Sequence, residues 1–227
     1  MEKFQTIFDR ASARHGGEGA LRAKLSDHHS GNVISAAQTD DRWLAEFTKR
    51  VFQSGFSWKV VDAKWAGFET AFWDFNVSRC ARIDMDDMER LTSDKGIIRN
   101  AGKIKSVPVN AQMILNMREA AGSADSFIRQ WPADDFIGLL EYLNKNGSRL
   151  GPNTACYALR FSGVPSFILS RDVIAALKFA GVIDKYPASK SAKRAVQAAF
   201  SEWSAQSGEN LTYVSRVLAM SIDAGGA

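Results

Sequence analysis

Residues 144–178 read NKNGSRLGPNTACYALRFSGVPSFILSRDVIAALK. Gly147 and Gly151 bracket a short turn, Pro152 stands where a helix takes its first residue, and Asp172 opens the next helical run. Proline suits a first helical turn because its missing N–H would have had no intrahelical partner there. A helix start preceded by glycines presents backbone N–H groups and a partial positive charge, which suits a phosphate. A carboxylate close by is then a candidate for chemistry on whatever carries that phosphate. A plain connection between two helices would use the same residues, so the rest of the chain has to decide.

Upstream, the apolar spacing is helical. Phe4, Ile7, Phe8 and Ala11 share one face, HGGEG (15–19) breaks it, and Leu21 and Leu25 mark a second short helix before the loop SDHHSGN (26–32). Asp40 and Asp41 are placed to cap a helix whose inner face is Trp43, Leu44, Phe47 and Val51. Ser57 opens an aromatic helix through Val61, Trp65, Phe68 and Phe72, and Asn76 or Ser78 starts a short one. Asp84 starts another, with Met85, Met88 and Leu91 inward. In residues 96–117 Pro108 is expected to kink or interrupt a longer helix. Ser123 opens a helix that Pro132 closes, and Phe136, Leu139, Leu140 and Leu143 mark the next. Downstream, Val173, Ile174 and Leu177 define one helix, Val196, Phe200 and Trp203 another, and Asn210 caps the last. No segment alternates as a strand does. The expected class is all-α, with roughly ten helices joined by short turns.

Composition narrows the function classes. The chain has 227 residues, 29 Lys+Arg against 25 Asp+Glu, and a net charge of +4, a balance that permits nucleic-acid binding without requiring it. No apolar run approaches the ~20 residues that span a bilayer, and MEKFQTIFDR at the start lacks a signal-peptide core, so the chain reads as cytoplasmic, nucleoid-associated if bacterial, with no membrane partner. Cys80 and Cys156 are the two cysteines, and His15, His28 and His29 the three histidines. They build neither a disulfide framework nor a closed zinc site, so no metal and no cofactor is expected. His28-His29 reads as a solvated polar turn.

Two blocks carry a resemblance. Phe52-Gln53-Ser54-Gly55-Phe56-Ser57-Trp58, followed by the aromatic run to Phe72, Met88-Glu89-Arg90-Leu91 and Gly96-Ile97-Ile98-Arg99-Asn100-Ala101-Gly102-Lys103-Ile104, resembles the core of the DNA-3-methyladenine glycosylase I family. Arg149-Leu150-Gly151-Pro152-Asn153-Thr154-Ala155 resembles the second half of the hairpin in the wider helix-hairpin-helix DNA glycosylase superfamily. The similarity spans about residues 40–180. It implies a two-lobed helical fold with a DNA-binding cleft, residues 39–227 forming the glycosylase-like domain and 1–38 an N-terminal helical extension.

From that resemblance follow the candidate roles. Trp58, with Phe56 or Phe52 beside it, matches the family's base pocket, where a flat apolar face would stack a flipped-out base. Without the motif, Trp58 would read as first-turn packing. Asp172, 18 residues beyond Thr154, occupies the place of the superfamily's catalytic aspartate; it equally reads as a helix N-cap. Backbone N–H groups at Gly151, Asn153 and Thr154, with Gly147, Arg149 and Lys103, are the candidate DNA-backbone contacts, and Arg149 or Leu150 at the tip could fill the gap left by a flipped base. Asn153 stands where some members carry a Schiff-base lysine. An amide cannot form an imine, so lyase chemistry is not expected.

The chain also departs from the family pattern. It lacks the Cys and His pairs that hold the family's structural zinc, and no counterpart of the family's N-terminal tyrosine block precedes Thr39. Arg50 falls where the family has a glutamate, and Arg149 replaces the first hairpin glycine. The reading is a monomeric, monofunctional DNA glycosylase of base excision repair, acting on double-stranded DNA that contains a damaged base. It would hydrolyse the N-glycosidic bond of an alkylated purine such as 3-methyladenine. The alternative is a non-catalytic DNA-binding relative that keeps the hairpin without the pocket; a helical scaffold for a protein partner is a third reading.

Overall fold

In the computed structural model, residues 1–26 and 37–223 are described. The readings placed on His28-His29, and most of the 26–32 loop, lie outside the described residues. Among these residues every regular element is helical, as the apolar spacing predicts. The helices are α1 (Phe4–Arg14), α2 (Glu18–Leu25), α3 (Asp40–Gln53), α4 (Trp58–Ala63), α5 (Trp65–Ala71), α6 (Val77–Cys80), α7 (Met85–Ser93), α8 (Ala101–Ile104), α9 (Ser106–Ala121), α10 (Ala124–Arg129), α11 (Phe136–Asn146), α12 (Pro152–Phe161), α13 (Arg171–Phe179), α14 (Lys190–Ser207) and α15 (Leu211–Ser221). They outnumber the roughly ten expected because apolar runs that read as single helices are broken in the chain. The 57–72 run, for instance, divides at Lys64, which ends α4 and precedes α5. No helix among the described residues is long and apolar enough to cross a membrane.

Two compact units can be distinguished. One gathers the described parts of Met1–Ile34, Pro132–Ile137 and Leu159–Ala227. In it the buried face of α1 is the Phe4, Ile7, Phe8 and Ala11 set expected from spacing. The N-terminal strand of chain is sewn to the C-terminal helices: Glu2 N donates to Ala180 O at 3.1 Å, Trp203 Nε1 donates to Glu2 O at 3.0 Å, and Phe4 N donates to Gln206 Oε1 at 2.7 Å. Phe167 stacks on Phe200 with centroids 4.2 Å apart, and Phe136 meets Phe167 edge-on at 4.8 Å. Ser189 and Asn210 cap α14 and α15.

The other unit comprises Ser35–Trp131 and Gly138–Ala158. Here α9 is the central helix, with α3, α6 and α10 packed on it. Pro108 does not interrupt it: the proline is the third residue of α9, within the first turn, where no i→i−4 bond is lost. Two further expectations change. Thr39, not Asp40 or Asp41, caps α3 by accepting from Arg42 N. Met85 points to solvent at 83% exposure, while Asp87 on the same helix is buried and held by Arg79. Between α5 and α6, Trp73, Asp74 and Phe75 all have φ near the left-handed region (52°, 54° and 60°). Such a run costs roughly 1–2 kcal/mol per residue, and packing holds it: Phe75 stacks on Trp65 and Phe72, and the guanidiniums of Arg79 and Arg90 lie 4.0 and 4.8 Å from the Trp73 ring centroid.

Asp40, released from capping its own helix, does tertiary work instead. It is buried, accepts from Ala124 N at 2.7 Å at the start of α10, and accepts from Arg118 Nε at 2.6 Å on α9. Replacing it leaves a buried N–H without a partner. Asp40→Ala is expected to lower the unfolding free energy by roughly 1–3 kcal/mol, read as a shift in urea midpoint at unchanged slope; an unchanged midpoint would contradict this role.

Candidate functional site

The Q-S-G-F-S-W turn begins where α3 stops. Gly55 has φ +89°, a conformation that a side chain at this position would strain, and it turns the chain so that Phe56 and Trp58 emerge on the surface. Phe56 is 37% and Trp58 42% exposed, uncommon for rings of this size. Phe52, grouped with them from sequence, is fully buried and packs edge-on against Phe68 at 4.6 Å. It lies on the inner face of α3, so no surface of its ring is open to stack a base.

Lys103 is the second correction. Sequence reading places it on a phosphate-facing helix surface, but it is buried. Its ammonium donates to Val51 O at 2.6 Å, to Phe52 O at 3.2 Å and to Ser54 O. These are carbonyls at the end of α3, which have no intrahelical donor and carry the negative end of the helix dipole. Burial first, and the charge of Arg149 second, push the Lys103 pKa below its ordinary value. Its Nζ also lies 4.9 Å from the Phe56 ring centroid. The lysine is therefore a clamp that shapes the turn.

The hairpin joins α11 to α12. Asn110, buried on α9, grips the loop from below: its Oδ1 accepts from Ser148 N at 2.7 Å and its Nδ2 donates to Ser148 O at 3.2 Å. Gly147 is required because a Cβ there would come within 2.7 Å of Leu150 Cδ1 and 2.8 Å of Leu143 O. Arg149 takes the left-handed conformation (φ 61°) that the missing hairpin glycine would have supplied, and its Nε donates to Gly102 O at 2.7 Å. Gly102 in turn has no room for a side chain, since a Cβ would sit 2.5 Å from the Arg149 guanidinium. Leu150, considered as a wedge from sequence, is buried and anchors the turn. Asn153 is exposed in the first turn of α12, with Gly151 and Thr154 half-exposed beside it.

The residue that sequence reasoning missed is Tyr157. From α12 it meets Trp58 edge-on, with centroids 5.7 Å apart, so the exposed tryptophan packs on the hairpin's own helix. Arg50 also reaches this ring, its Cζ 5.4 Å from the Trp58 centroid. Arg50 is buried, salt-bridged to Glu46 one turn back, and donates from Nη1 to Gln53 Oε1 at 2.6 Å.

Asp172 belongs to the unit that contains α13. The N-cap of α13 is Ser170, whose hydroxyl accepts from Val173 N at 3.2 Å. Asp172 is thus the second residue of the helix and half-buried, and capping does not account for it.

Comparison with known proteins gives a consistent family. The model of the methyladenine glycosylase family matches residues 26–146, just over half of the 227. DNA-3-methyladenine glycosylase 1 of Escherichia coli K12 is 37% identical over 89 residues, which are 39% of this chain and 48% of that protein. The chain thus spans about half the length of that relative. The solved structure of the Staphylococcus aureus 3-methyladenine DNA glycosylase I superposes with a TM-score of 0.53 at 20% identity, covering 68% of this chain and 91% of that one. The Methanocaldococcus jannaschii 8-oxoguanine glycosylase/lyase, solved with DNA containing 8-oxoguanine, superposes with a TM-score of 0.51 at 13% identity over 94% and 95%. At these identities the structural likeness speaks to the fold.

If Lys103 is a clamp, removing its ammonium should unfold the turn before it affects any distant surface. Lys103→Met is expected to cost roughly 1–3 kcal/mol of stability by leaving carbonyls of α3 without a donor, measured by thermal or urea unfolding. A surface lysine would give a change within about 0.5 kcal/mol, and that result would return Lys103 to the surface role.

Proposed function

Because the chain belongs to the methyladenine glycosylase family, we propose that it is a monofunctional DNA glycosylase. It binds duplex DNA as a monomer, flips out a damaged purine of the alkylated class to which 3-methyladenine belongs, and hydrolyses its N-glycosidic bond. The observation that carries this reading is the Trp58–Tyr157 contact: the exposed ring suited to stacking a base rests directly on α12, the helix that follows the hairpin turn.

The chemistry follows from what each group can supply. Extruding a nucleotide costs a few kcal/mol, and stacking on an aromatic face returns ~1–3 kcal/mol per base, so Trp58 with Phe56 at its side offsets much of the penalty. Arg149, Gly151, Asn153 and Thr154, with the turn residue Gly147, form the exposed start of α12, where backbone N–H groups and the helix dipole suit a DNA phosphate. As the C1′–N bond lengthens, positive charge grows on the sugar, and a carboxylate stabilises it and orients water. Asp172 is the residue assigned to that step, since Ser170 already caps its helix. Asn153 offers an amide where imine chemistry would need an amine, so the enzyme releases the base and leaves the strand intact.

A second reading stays in play on one observation: Arg50 stands beside Trp58, where the family pattern has a glutamate. A DNA-binding relative without turnover would show salt-dependent affinity for duplexes and no excision across a lesion panel.

The deciding experiment is single-turnover excision from alkylated duplex DNA, scored as alkali-labile abasic sites. The wild type is expected to release base. Asp172→Asn should slow release by about 100-fold or more while duplex affinity stays within a factor of ~3. Borohydride should trap no covalent adduct. No release above background removes the glycosylase reading; undiminished release by Asp172→Asn removes the assigned carboxylate.

A further inference from the structure

One basic cluster takes no part in the aromatic turn or the hairpin. Residues 185–194 read KYPASKSAKR. They belong to the unit that holds α13 and α14 and lie beyond the 26–146 stretch that the family model matches. Lys185, Lys190, Lys193 and Arg194 stand there with no Asp or Glu among them. These four account for the whole net charge of +4: without them the 29 Lys+Arg fall to 25, equal to the 25 Asp+Glu. Lys185, Lys190 and Arg194 are exposed and have no carboxylate partner among the described residues, whereas Arg10, Arg42, Arg79 and Arg118 are all salt-bridged. Tyr186 beside them is 54% exposed.

Helix stability does not explain the cluster. The start of α14 holds Lys190, Lys193 and Arg194 with no acid in its first turn, and cations there oppose the helix dipole. The backbone that presents them is nonetheless held in place. Pro187 is buried, Ala188 N donates to Tyr186 O at 2.9 Å, Ser189 caps α14, and Val196 and Phe200 bury its inner face. Lys193 and Arg194, three and four residues after Lys190, each lie about 5–6 Å from it, Cβ to Cβ. Lys185 precedes Lys190 by five residues, a backbone span of at most ~18 Å. Every polar side chain of the stretch is a lysine, arginine, tyrosine or serine, so each can donate a hydrogen bond and none is an anion.

We propose that residues 185–194 form a second contact surface for duplex DNA, binding its phosphate backbone without regard to sequence or damage. The partner follows from the chemistry. Lysine, arginine, serine and tyrosine are the side chains that contact phosphates, and B-DNA presents one negative charge per ~1.7 Å of axis, so a surface this wide meets several phosphates at once. An anionic membrane is the poorer fit, because interfacial binding also needs apolar area to bury and the stretch offers Tyr186 as its one ring. The proposal rests on the reading that duplex DNA is the protein's partner, and it extends that reading. The hairpin belongs to the other unit, so each unit has its own grip on the backbone. Such a surface attracts a duplex over a range set by salt and holds it whether or not a base is damaged.

The test measures binding of a labelled, undamaged duplex by fluorescence anisotropy between about 50 and 200 mM salt, which requires no base release. Lys185→Gln/Lys190→Gln/Arg194→Gln is expected to make the slope of log K against log salt shallower by about 2–3, with binding at least about tenfold weaker at ~150 mM. The single variant Lys190→Gln should lower the slope by about 0.9 and covers a failure of the triple variant to fold. A charge-matched control, Lys3→Gln/Arg82→Gln/Lys95→Gln, removes three exposed cations elsewhere and should change the slope by less than about 0.5. An unchanged slope in the 185–194 variants, or an equal change in the control, overturns the proposal. So does loss of binding to phosphatidylglycerol vesicles while duplex binding stays intact, which assigns the surface to a membrane. No duplex binding by the wild type overturns it as well. Excision is scored separately: a protein that releases no base yet shows the slope change loses the glycosylase reading and keeps this surface.

Discussion

Two adjacent residues, Gly102 and Lys103, hold the functional surface of their unit together. The ammonium of Lys103 closes the end of α3 by donating to Val51 O, Phe52 O and Ser54 O. The carbonyl of Gly102 receives Arg149 from the hairpin. One short helix, α8, thus fixes the aromatic turn through one residue and the hairpin through the next. Its own placement comes from Asn100, whose side chain accepts from Lys103 N at 3.1 Å, so the cap that starts α8 also orients the backbone of the clamp. A buried ammonium costs stability unless its hydrogen bonds are made, and here the carbonyls of a helix terminus make them. The family-like spacing of Gly102, Lys103 and the Q-S-G-F-S-W turn has a direct physical reading: each residue closes a contact that another residue of the set opens.

The left-handed Arg149 belongs to the same arrangement. A non-glycine residue at φ 61° carries a cost of order 1 kcal/mol, and a charged hydrogen bond to Gly102 O offsets it, such bonds contributing ~1.5–3 kcal/mol. Glycine at this position would relieve the backbone and lose the tie. Gly102 has to stay small for the same reason, because the guanidinium occupies the space of its Cβ. The chain has exchanged flexibility at the hairpin tip for a fixed arginine.

Much of this was legible from residues alone, and the boundary is physical. Helical periodicity reports which face is buried, so the faces of α1 and α3 and the helix starts at Asp84, Ser123 and Asn210 read correctly, and of the two starts open for α6 the chain uses Asn76. Two aspartates before an apolar run look like caps, yet Thr39 takes that role and Asp40 bonds Ala124, 84 residues away; only the tertiary fold reveals the competitor. Lys103 reads as a solvated lysine because its carbonyl partners lie some fifty residues upstream. Trp73–Phe75 contain no glycine to announce a left-handed turn. At the aromatic turn, the motif singles out Phe56 and Trp58, and both rings are exposed. Tyr157 is not singled out, because nothing in the pattern of α12 tells which ring it will meet.

What the fold does with Arg50 follows from where α3 ends. A residue two to three positions before the terminus of a helix sits one turn from the chain's next direction, so its side chain is placed near whatever the following turn presents. In this chain that is Trp58, eight residues on. Any charged residue at 50 is therefore read by the ring as a local field, whichever sign it has, and its effect is set by the partners that neutralise it. Glu46 pairs with Arg50 from the preceding turn and Gln53 takes a second bond from the following one. These two contacts make the guanidinium part of the packed protein interior. A charge held this way is preorganised, so the field at the Trp58 ring is a property of the fold.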